Sequence, residues 1–233
     1  ILLFGEGWDL YTPLSHNEEA NHNNAAFMPG IGQFNDGLRE ALKGNDFDAS
    51  ARGFINGAWH MESRLARNFM GGVDFGTYKD PLQLIQYVEA HDNYTLYDRL
   101  IKADPYLDEE TIIRRHELAS SIILLSQGIP FIHSGQEFLR SKQGIRDSYN
   151  KPDSINQIDW LRRDKYKHSV ELMKGLIQLR KSEPLFRLET YEAIRETISV
   201  IRQDYQILSF EYRGPEYKLY VVFSAQNNLL NYK

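Results

Sequence analysis

The feature that most constrains the fold of this chain is a short, half-apolar segment that runs directly into polar residues. Residues 86–93 read Gln-Tyr-Val-Glu-Ala-His-Asp-Asn, a pattern that predicts a strand leading into His91, Asp92 and Asn93. In a barrel of parallel strands, polar groups at the carboxyl end of a strand lie in the mouth of the active site. Spacing alone favours a simpler interpretation, in which the strand ends in a solvated loop.

The start of the chain repeats this arrangement and shifts the interpretation towards an active site. Residues 1–4 are all apolar, too few for a helix, and they predict a strand buried on both faces, as in a parallel sheet. Glu6 follows between Gly5 and Gly7, which leave room for a ligand to approach the carboxylate closely. Trp8 then offers a large flat face. Two apolar strands that each end in a carboxylate are more typical of one shared site than of two unrelated loops.

Four segments together resemble a known enzyme family. Residues 5–9 (Gly-Glu-Gly-Trp-Asp) and 87–93 are similar to two of the sequence regions of the α-amylase clan of glycoside hydrolases. They are most similar to those of the bacterial type I pullulanases, which cut α-1,6 branch linkages. Residues 127–138 and 150–160 resemble further stretches of the same family. The four regions occur in the family's order and cover essentially the whole chain, so the resemblance is specific.

The resemblance implies an α/β fold in two parts. Residues 1–186 are expected to form the C-terminal half of a TIM (β/α)8 barrel, and residues 187–233 the start of an antiparallel β-sandwich domain that is truncated. The sequence pattern of the second part agrees, because its apolar residues alternate with polar ones between short turns. The strands predicted there are residues 197–202, 207–212 and 219–223.

Periodicity in the first part predicts alternating strands and helices. The predicted strands are residues 31–35, 84–90 and 129–133, and the predicted helices are residues 37–43, 109–127 and 166–181. Asp36 and Asp108 are the predicted helix caps. Between them, residues 45–82 are interpreted as a long excursion on the catalytic face whose aromatic side chains (Phe54, Trp59, Phe69 and Phe75) are buried.

Composition narrows the classes of function. The 233 residues carry a net charge of −5, which argues against nucleic acid or an anionic membrane as a partner. The absence of cysteine excludes a disulfide framework and a thiolate metal site, and it fits either the cytoplasm or export from a bacterium that does not rely on disulfides. The histidines of residues 12–24 lack zinc-site spacing, so that segment is predicted to be a solvated loop.

The resemblance assigns the catalytic carboxylates. Glu6 is the expected general acid/base, and Asp92 matches the clan's third carboxylate, which stabilises the oxocarbenium-like transition state. Retaining glycosidases also need a nucleophilic carboxylate about 5–5.5 Å from the acid. In the clan this nucleophile is an Asp upstream of the Glu region, and the sequence contains nothing upstream of Ile1. We therefore expect the N-terminal remainder of the same enzyme to be a partner, and this chain alone to be inactive.

The resemblance also assigns the substrate-binding residues. His91 is expected to donate a hydrogen bond to a sugar hydroxyl beside the cleaved bond, and Trp8 to stack on a glucose ring on the leaving side. Asn150 and Asp153 match family residues that hold the glucan on the non-leaving side, and Asn93 completes the predicted set. No cofactor or metal is expected, and the sequence gives no support to a structural calcium site.

The predicted function is part of a starch-debranching hydrolase that cleaves α-1,6-glucosidic linkages by a retaining double displacement. Its substrates would be α-glucans such as pullulan, amylopectin or glycogen-derived dextrins. Isoamylases, branching enzymes and neopullulanase-like enzymes of the same clan are alternatives, against which the stretch from residue 153 to 160 weighs. A non-catalytic glucan-binding fragment is a further alternative. It is disfavoured because half a barrel leaves sheet edges and an apolar interior uncovered.

Overall fold

Four short strands pair side by side in one parallel sheet. In order across the sheet they are β1 (Leu3–Gly5), β2 (Ile31–Phe34), β3 (Leu84–Gln86) and β4 (Ile129–Pro130). The computed structural model describes residues 1–226. Strand order follows chain order, and each connection is long enough for the crossover that parallel pairing requires. The predicted α/β class is confirmed, whereas the half-barrel and the β-sandwich remain predictions.

The helices lie between and after these strands. Within residues 1–226 the α-helices are α1 (Asp36–Lys43), α2 (Glu62–Phe69), α3 (Leu96–Ala103), α4 (Glu109–Leu125), α5 (Asp153–Asn156), α6 (Leu161–Lys165), α7 (Lys167–Ser182) and α8 (Tyr191–Thr197). None of them combines the length and the apolar character that a membrane span requires. The predictions of α4 and α7 are confirmed to within two residues at each end. The short helix α3 was not predicted.

A second, antiparallel sheet follows α8. It contains β5 (Ile198–Asp204), β6 (Ile207–Arg213) and β7 (Lys218–Ser224) in that order, which confirms the predicted alternation. The ring of Phe210 on β6 stacks on Phe69 of α2 at a centroid distance of 4.4 Å, so the antiparallel sheet shares one hydrophobic core with the helices that precede it. The predicted second domain extends to residue 233, and its residues 227–233 lie outside the described part.

The strand at the start of the chain is less buried than predicted. Leu3 and Phe4 are 56% and 50% exposed, so the prediction of burial on both faces is wrong for the described residues. The reason is that, within residues 1–226, β1 pairs only with β2 and stands at the edge of the sheet. The strand β3 also ends at Gln86, four residues earlier than predicted, and β4 ends at Pro130, three residues earlier.

The start of α1 differs from the prediction by one residue. The N-cap is Asn35, whose side chain accepts a hydrogen bond from the Leu38 amide at 3.1 Å. Asp36, the predicted cap, lies in the first turn and accepts a hydrogen bond from the Tyr87 hydroxyl at 2.5 Å. At α4 the predicted cap is confirmed, because Asp108 accepts from the Thr111 amide at 2.8 Å.

The start of the long segment of residues 45–82 is anchored by one buried arginine. The guanidinium of Arg99 on α3 donates hydrogen bonds to four backbone carbonyls between residues 45 and 51, at 2.5–3.1 Å. Phe54 and Phe69 are buried as predicted, but Trp59 is 60% exposed, so the prediction of its burial is wrong. Trp59 lines an open surface groove near the β5–β6 turn, where no neighbouring element of the described chain covers it.

A buried amide joins the middle of the parallel sheet to the helices around it. The Gln86 side chain accepts a hydrogen bond from Asn35 at 2.8 Å. Its amide nitrogen donates to the carbonyls of Asn68 and Gln127 at 2.9 and 2.7 Å. One side chain therefore connects the end of β2, the end of α2 and the entry to β4. These hydrogen bonds fix the position along the sheet at which β3 ends.

The helix α7 is attached to the sheet by a buried arginine. Arg180 donates to the carbonyls of Leu124, Ser126 and Gly128 at 2.7–2.9 Å, where α4 ends and the chain enters β4. Burial lowers the pKa of Arg180 to about 10, so the cation remains protonated near neutral pH. These carbonyls lie at or beyond the end of α4 and have no hydrogen-bond donor within the helix, so Arg180 supplies the donors that they would otherwise lack.

Replacing Arg180 with methionine is expected to lower the free energy of unfolding by about 3 kcal/mol, because buried carbonyls lose their donors. Urea denaturation followed by circular dichroism measures the change. The matched control is Arg163→Met on the exposed surface of α6, for which we expect a change within about 0.5 kcal/mol. Equal effects of the two substitutions would show that the Arg180 contacts contribute no specific stability.

Candidate active site

The carboxyl ends of the parallel strands open into one cleft, here called the central cleft, with an empty volume of about 690 Å³. The residues that follow β1 and β3 line it, as the sequence predicted. Five of the predicted site residues lie on its walls: Glu6, Trp8, His91, Asp92 and Asn93. The structure therefore brings together two segments that are more than 80 positions apart in the sequence.

Aromatic rings form the floor of the central cleft. Phe34, at the end of β2, lies at its middle, with the rings of Phe4, Tyr87 and Phe131 around it at centroid distances of 5.9, 4.8 and 5.1 Å. All three contacts are edge-to-face, the arrangement that aromatic pairs prefer. An apolar floor with a polar rim suits a ligand that has flat apolar faces and many hydroxyl groups.

Glu6 is presented by an unusual backbone turn. Gly7 has φ +74°, in the left-handed region that favours glycine, and a Cβ added there would lie 2.8 Å from Cβ of Gln33. The Gly7 carbonyl accepts a hydrogen bond from the His22 amide at 2.8 Å, which fixes the turn. The Glu6 side chain is exposed.

The loop after β3 has a fixed backbone and free side chains. The Lys142 ammonium donates to the His91 carbonyl at 2.9 Å, and Arg146 donates to the Asn93 side chain at 3.1 Å. The side chains of His91 and Asp92 are 81% and 52% exposed, and they approach each other to 3.5 Å. Asn93 has φ +60°, which turns the chain towards α3. The two side chains with predicted roles in the reaction are thus open to a ligand.

A second depression, here called the adjacent cleft, shares His91, Asp92 and Asn93 with the central cleft and has an empty volume of about 620 Å³. Its other wall comes from the segment after β4 and includes His133, Arg140, Lys142, Arg146, Tyr149 and Asn156. The predicted binding residues Asn150 and Asp153 are exposed beside this wall and line neither cleft. Their role in holding the glucan remains a prediction.

The sequence and the fold are similar to those of pullulanases. The pullulanase of Bacillus subtilis (strain 168) is 44% identical over 214 residues, which cover 90% of this chain and 30% of that relative. The chain belongs to the pullulanase family. This confirms the resemblance inferred from four sequence segments, although no family model matches the chain.

Solved pullulanase structures match almost all of this pullulanase-family chain. The type I pullulanase of Bacillus subtilis, complexed with maltose, superimposes with a TM-score of 0.94 at 41% identity, covering 97% of this chain and 33% of that one. A mutant pullulanase of Paenibacillus barengoltzii, complexed with maltotetraose, gives 0.94 at 40% identity, with 97% and 36% covered. The chain therefore spans about a third of the length of the pullulanases it matches.

Beneath the loop of this pullulanase-family chain lies a buried carboxylate that the sequence interpretation missed. Glu89 accepts hydrogen bonds from Nδ1 of His133 at 2.9 Å and from the Leu96 amide. Burial alone would raise the pKa of Glu89, but its contact with His133 outweighs burial and holds the pKa below its ordinary value. A polar residue at the end of the strand predicted over 129–133 was the available signal for His133.

A buried ion cluster at the side of the central cleft was also missed. Asp46 forms ion pairs with Lys43 at 2.8 Å and with Arg39 at 3.0 Å, and all three residues line the cleft. Burial lowers the pKa of Lys43, and Asp46 opposes this shift. Arg39 and Lys43 lie on α1 and Asp46 follows it, so no strand-end pattern marks them. Within residues 1–226, no group of three or more His, Asp or Glu side chains is arranged to hold a metal ion.

Gly7→Ala is expected to lower turnover at least about tenfold, because the left-handed backbone costs about 1–2 kcal/mol for alanine and the added Cβ displaces Gln33 or the turn that carries Glu6. The matched control is Gly5→Ala, whose Cβ meets no atom of the described chain within 4 Å. Rates of release of reducing ends from pullulan by the complete enzyme measure both. Similar rates for the two variants would show that the Gly7 turn does not position Glu6.

Proposed function

We propose that this chain is part of a starch-debranching glycoside hydrolase that cleaves α-1,6-glucosidic linkages in pullulan, amylopectin or glycogen-derived dextrins. The observation that carries the proposal is the meeting of Glu6, Trp8, His91 and Asp92 at the carboxyl ends of parallel strands. The pullulanase names of the relatives, and the maltotetraose and maltose bound in related structures, support an α-glucan as substrate.

The proposed mechanism is a retaining double displacement. Glu6 protonates the departing glycosidic oxygen while a nucleophilic carboxylate attacks the anomeric carbon, and Glu6 then removes a proton from the water that hydrolyses the glycosyl-enzyme. Asp92 stabilises the positive charge that develops on the sugar ring. We place the nucleophile in the N-terminal remainder of the same enzyme, so that the 233-residue chain alone does not hydrolyse glucan.

The clefts provide the proposed glucan path. Trp8 stacks on a glucose ring on the leaving side, while His91 and Asn93 bind hydroxyl groups beside the cleaved bond. The chain of glucose units continues into the adjacent cleft, and Asn150 and Asp153 hold it on the non-leaving side. Hydroxyl-rich ligands suit this path because the central cleft combines apolar rings with hydrogen-bonding side chains, and hydrogen-bonding side chains line the adjacent cleft.

The proposed architecture follows from the same relatives. The parallel sheet is the C-terminal half of a TIM barrel, and the antiparallel sheet is the start of a C-terminal β-sandwich. The half-exposed side chains of Leu3 and Phe4 support the first assignment, since a further parallel strand beside β1 would cover them. The coverage of only about a third of the matched pullulanases is consistent with both assignments.

Glu6→Gln in the complete enzyme is expected to reduce pullulan hydrolysis by about 10²–10⁴-fold, because the amide cannot protonate the leaving oxygen. The affinity for maltotetraose, measured by calorimetry, should change little. The control is Glu110→Gln on the exposed face of α4, which should retain full activity. Turnover close to that of the wild type in the Glu6 variant would place the general acid elsewhere.

Asp92→Asn is expected to lower kcat by about 10²–10³-fold while KM changes only a few-fold, because a carboxylate facing developing positive charge acts mainly in the transition state. Steady-state kinetics on pullulan separate the two constants. Asp164→Asn, on the exposed surface of α6, is the matched control. A loss that appears almost wholly in KM would make Asp92 a residue for binding alone.

A further inference from the structure

We propose that His133 is a positioning residue for the loop that carries Asp92. As a neutral imidazole protonated on Nδ1, it connects Arg140 to the buried carboxylate of Glu89, which in turn holds both ends of the loop of residues 90–95. The inference rests on the proposed function, because it takes the placement of Asp92 to be what the loop serves. It adds to the clefts a residue that is itself buried and has no assigned role.

One carboxylate joins the start of the loop to its end. Glu89 immediately precedes the loop, and its Oε2 accepts a hydrogen bond from the amide of Leu96, the first residue of α3. The side chain of Glu89 therefore fixes the distance between the start and the end of the loop. A rotation of this carboxylate would move His91 and Asp92, which lie between the two attachment points.

The orientation of the Glu89 carboxylate is set by His133. Nδ1 of His133 lies 2.9 Å from Oε1 of Glu89, and both side chains are almost completely buried. Among the described residues, His133 supplies the side-chain hydrogen bond to Glu89, and the Leu96 amide supplies the other. A buried carboxylate that loses a donor pays a desolvation cost, which it can relieve only by moving or by admitting water.

The tautomer of His133 follows from its other neighbour. Nη1 of Arg140 lies 3.2 Å from Nε2 of His133, and a guanidinium can only donate. Nε2 must therefore accept, which leaves the ring proton on Nδ1, where it is donated to Glu89. Arg140 is itself held by the carbonyls of Ser134 and Asn156 at 3.1 and 2.6 Å. A directed series of hydrogen bonds thus runs from the wall of the adjacent cleft to the start of α3.

Other charged or titratable groups approach Glu89 from the surrounding elements. They are His116 of α4, Lys43 of α1 and Lys142 of the segment after β4. Burial lowers the pKa of His116 to about 4, so this ring is neutral near pH 7. The two lysines act on Glu89 through their charge. None of these groups has the directed contact that would let it replace the Nδ1–H of His133.

Two substitutions of His133 distinguish the contribution of Nδ1 from that of Nε2. The amide of His133→Asn reaches the position of Nδ1 and can still donate to Glu89, whereas the longer side chain of His133→Gln places its amide near Nε2, beside Arg140. The matched control is His168→Gln on α7, an exposed histidine whose Nδ1 lies 3.3 Å from Glu117.

We expect His133→Gln to lower kcat on pullulan by about 10–100-fold with KM within about twofold, because a small displacement of a reacting group is costly while binding surfaces stay intact. His133→Asn should recover kcat to within about threefold of the wild type, and His168→Gln should match it. Equal losses in the Asn and Gln variants, or a loss confined to KM, would overturn the proposal. Melting temperatures show whether each variant is folded.

A spectroscopic measurement tests the proposal without relying on activity. Long-range ¹H–¹⁵N correlation spectra of the complete protein with ¹⁵N-labelled histidine, assigned by the signal lost in His133→Asn, report the tautomer at pH 7. A neutral ring protonated on Nδ1 supports the proposal, and an Nε2-protonated ring or an imidazolium overturns it, even if the Gln variant does not fold. If the wild type fails to hydrolyse pullulan, the proposed function fails while this spectrum still decides the tautomer.

Discussion

The buried amide of Gln86 is the interaction on which the arrangement of the site depends. It joins β3 to the end of β2 through Asn35, and to the flanking segments through the carbonyls of Asn68 and Gln127. Because every polar atom of this amide is paired, a shift of β3 along the sheet would leave buried groups unsatisfied. The strand therefore ends at a defined position, and the residues after it line the central cleft together with Glu6.

Repeating patterns made much of this architecture predictable. The alternation in β5, β6 and β7 and the long apolar stripe of α4 are strong periodic signals, and both were found with small errors at their ends. The residues around the central cleft were also predictable, because polar groups that follow apolar strands share one edge of a parallel sheet. The helix α3 was missed since eight residues provide little periodicity, and its cap Thr95 follows a polar loop.

Contacts between distant residues could not be inferred from local pattern. Glu89 and His133 are 44 positions apart, and only the pairing of β3 with β4 brings them together. The exposure of Phe4 has a similar origin, because an apolar strand has the same sequence whether one or two neighbours cover it. Asn35 and Asp36 are both residue types that cap helices. Asn35 caps α1, while the side chain of Asp36 accepts a hydrogen bond from the Tyr87 hydroxyl.

The unpaired edge of β1 discriminates between directions of approach. Neighbouring strands in a sheet lie about 4.7–4.9 Å apart, so a strand that adds in parallel would deliver the residue after its last pair next to Glu6. An antiparallel strand would deliver its first residue instead. The direction of the added strand thus determines which of its residues lies beside Glu6. A parallel strand would cover Phe4 and, through the same backbone ladder, bring the residue after its last pair close to Glu6.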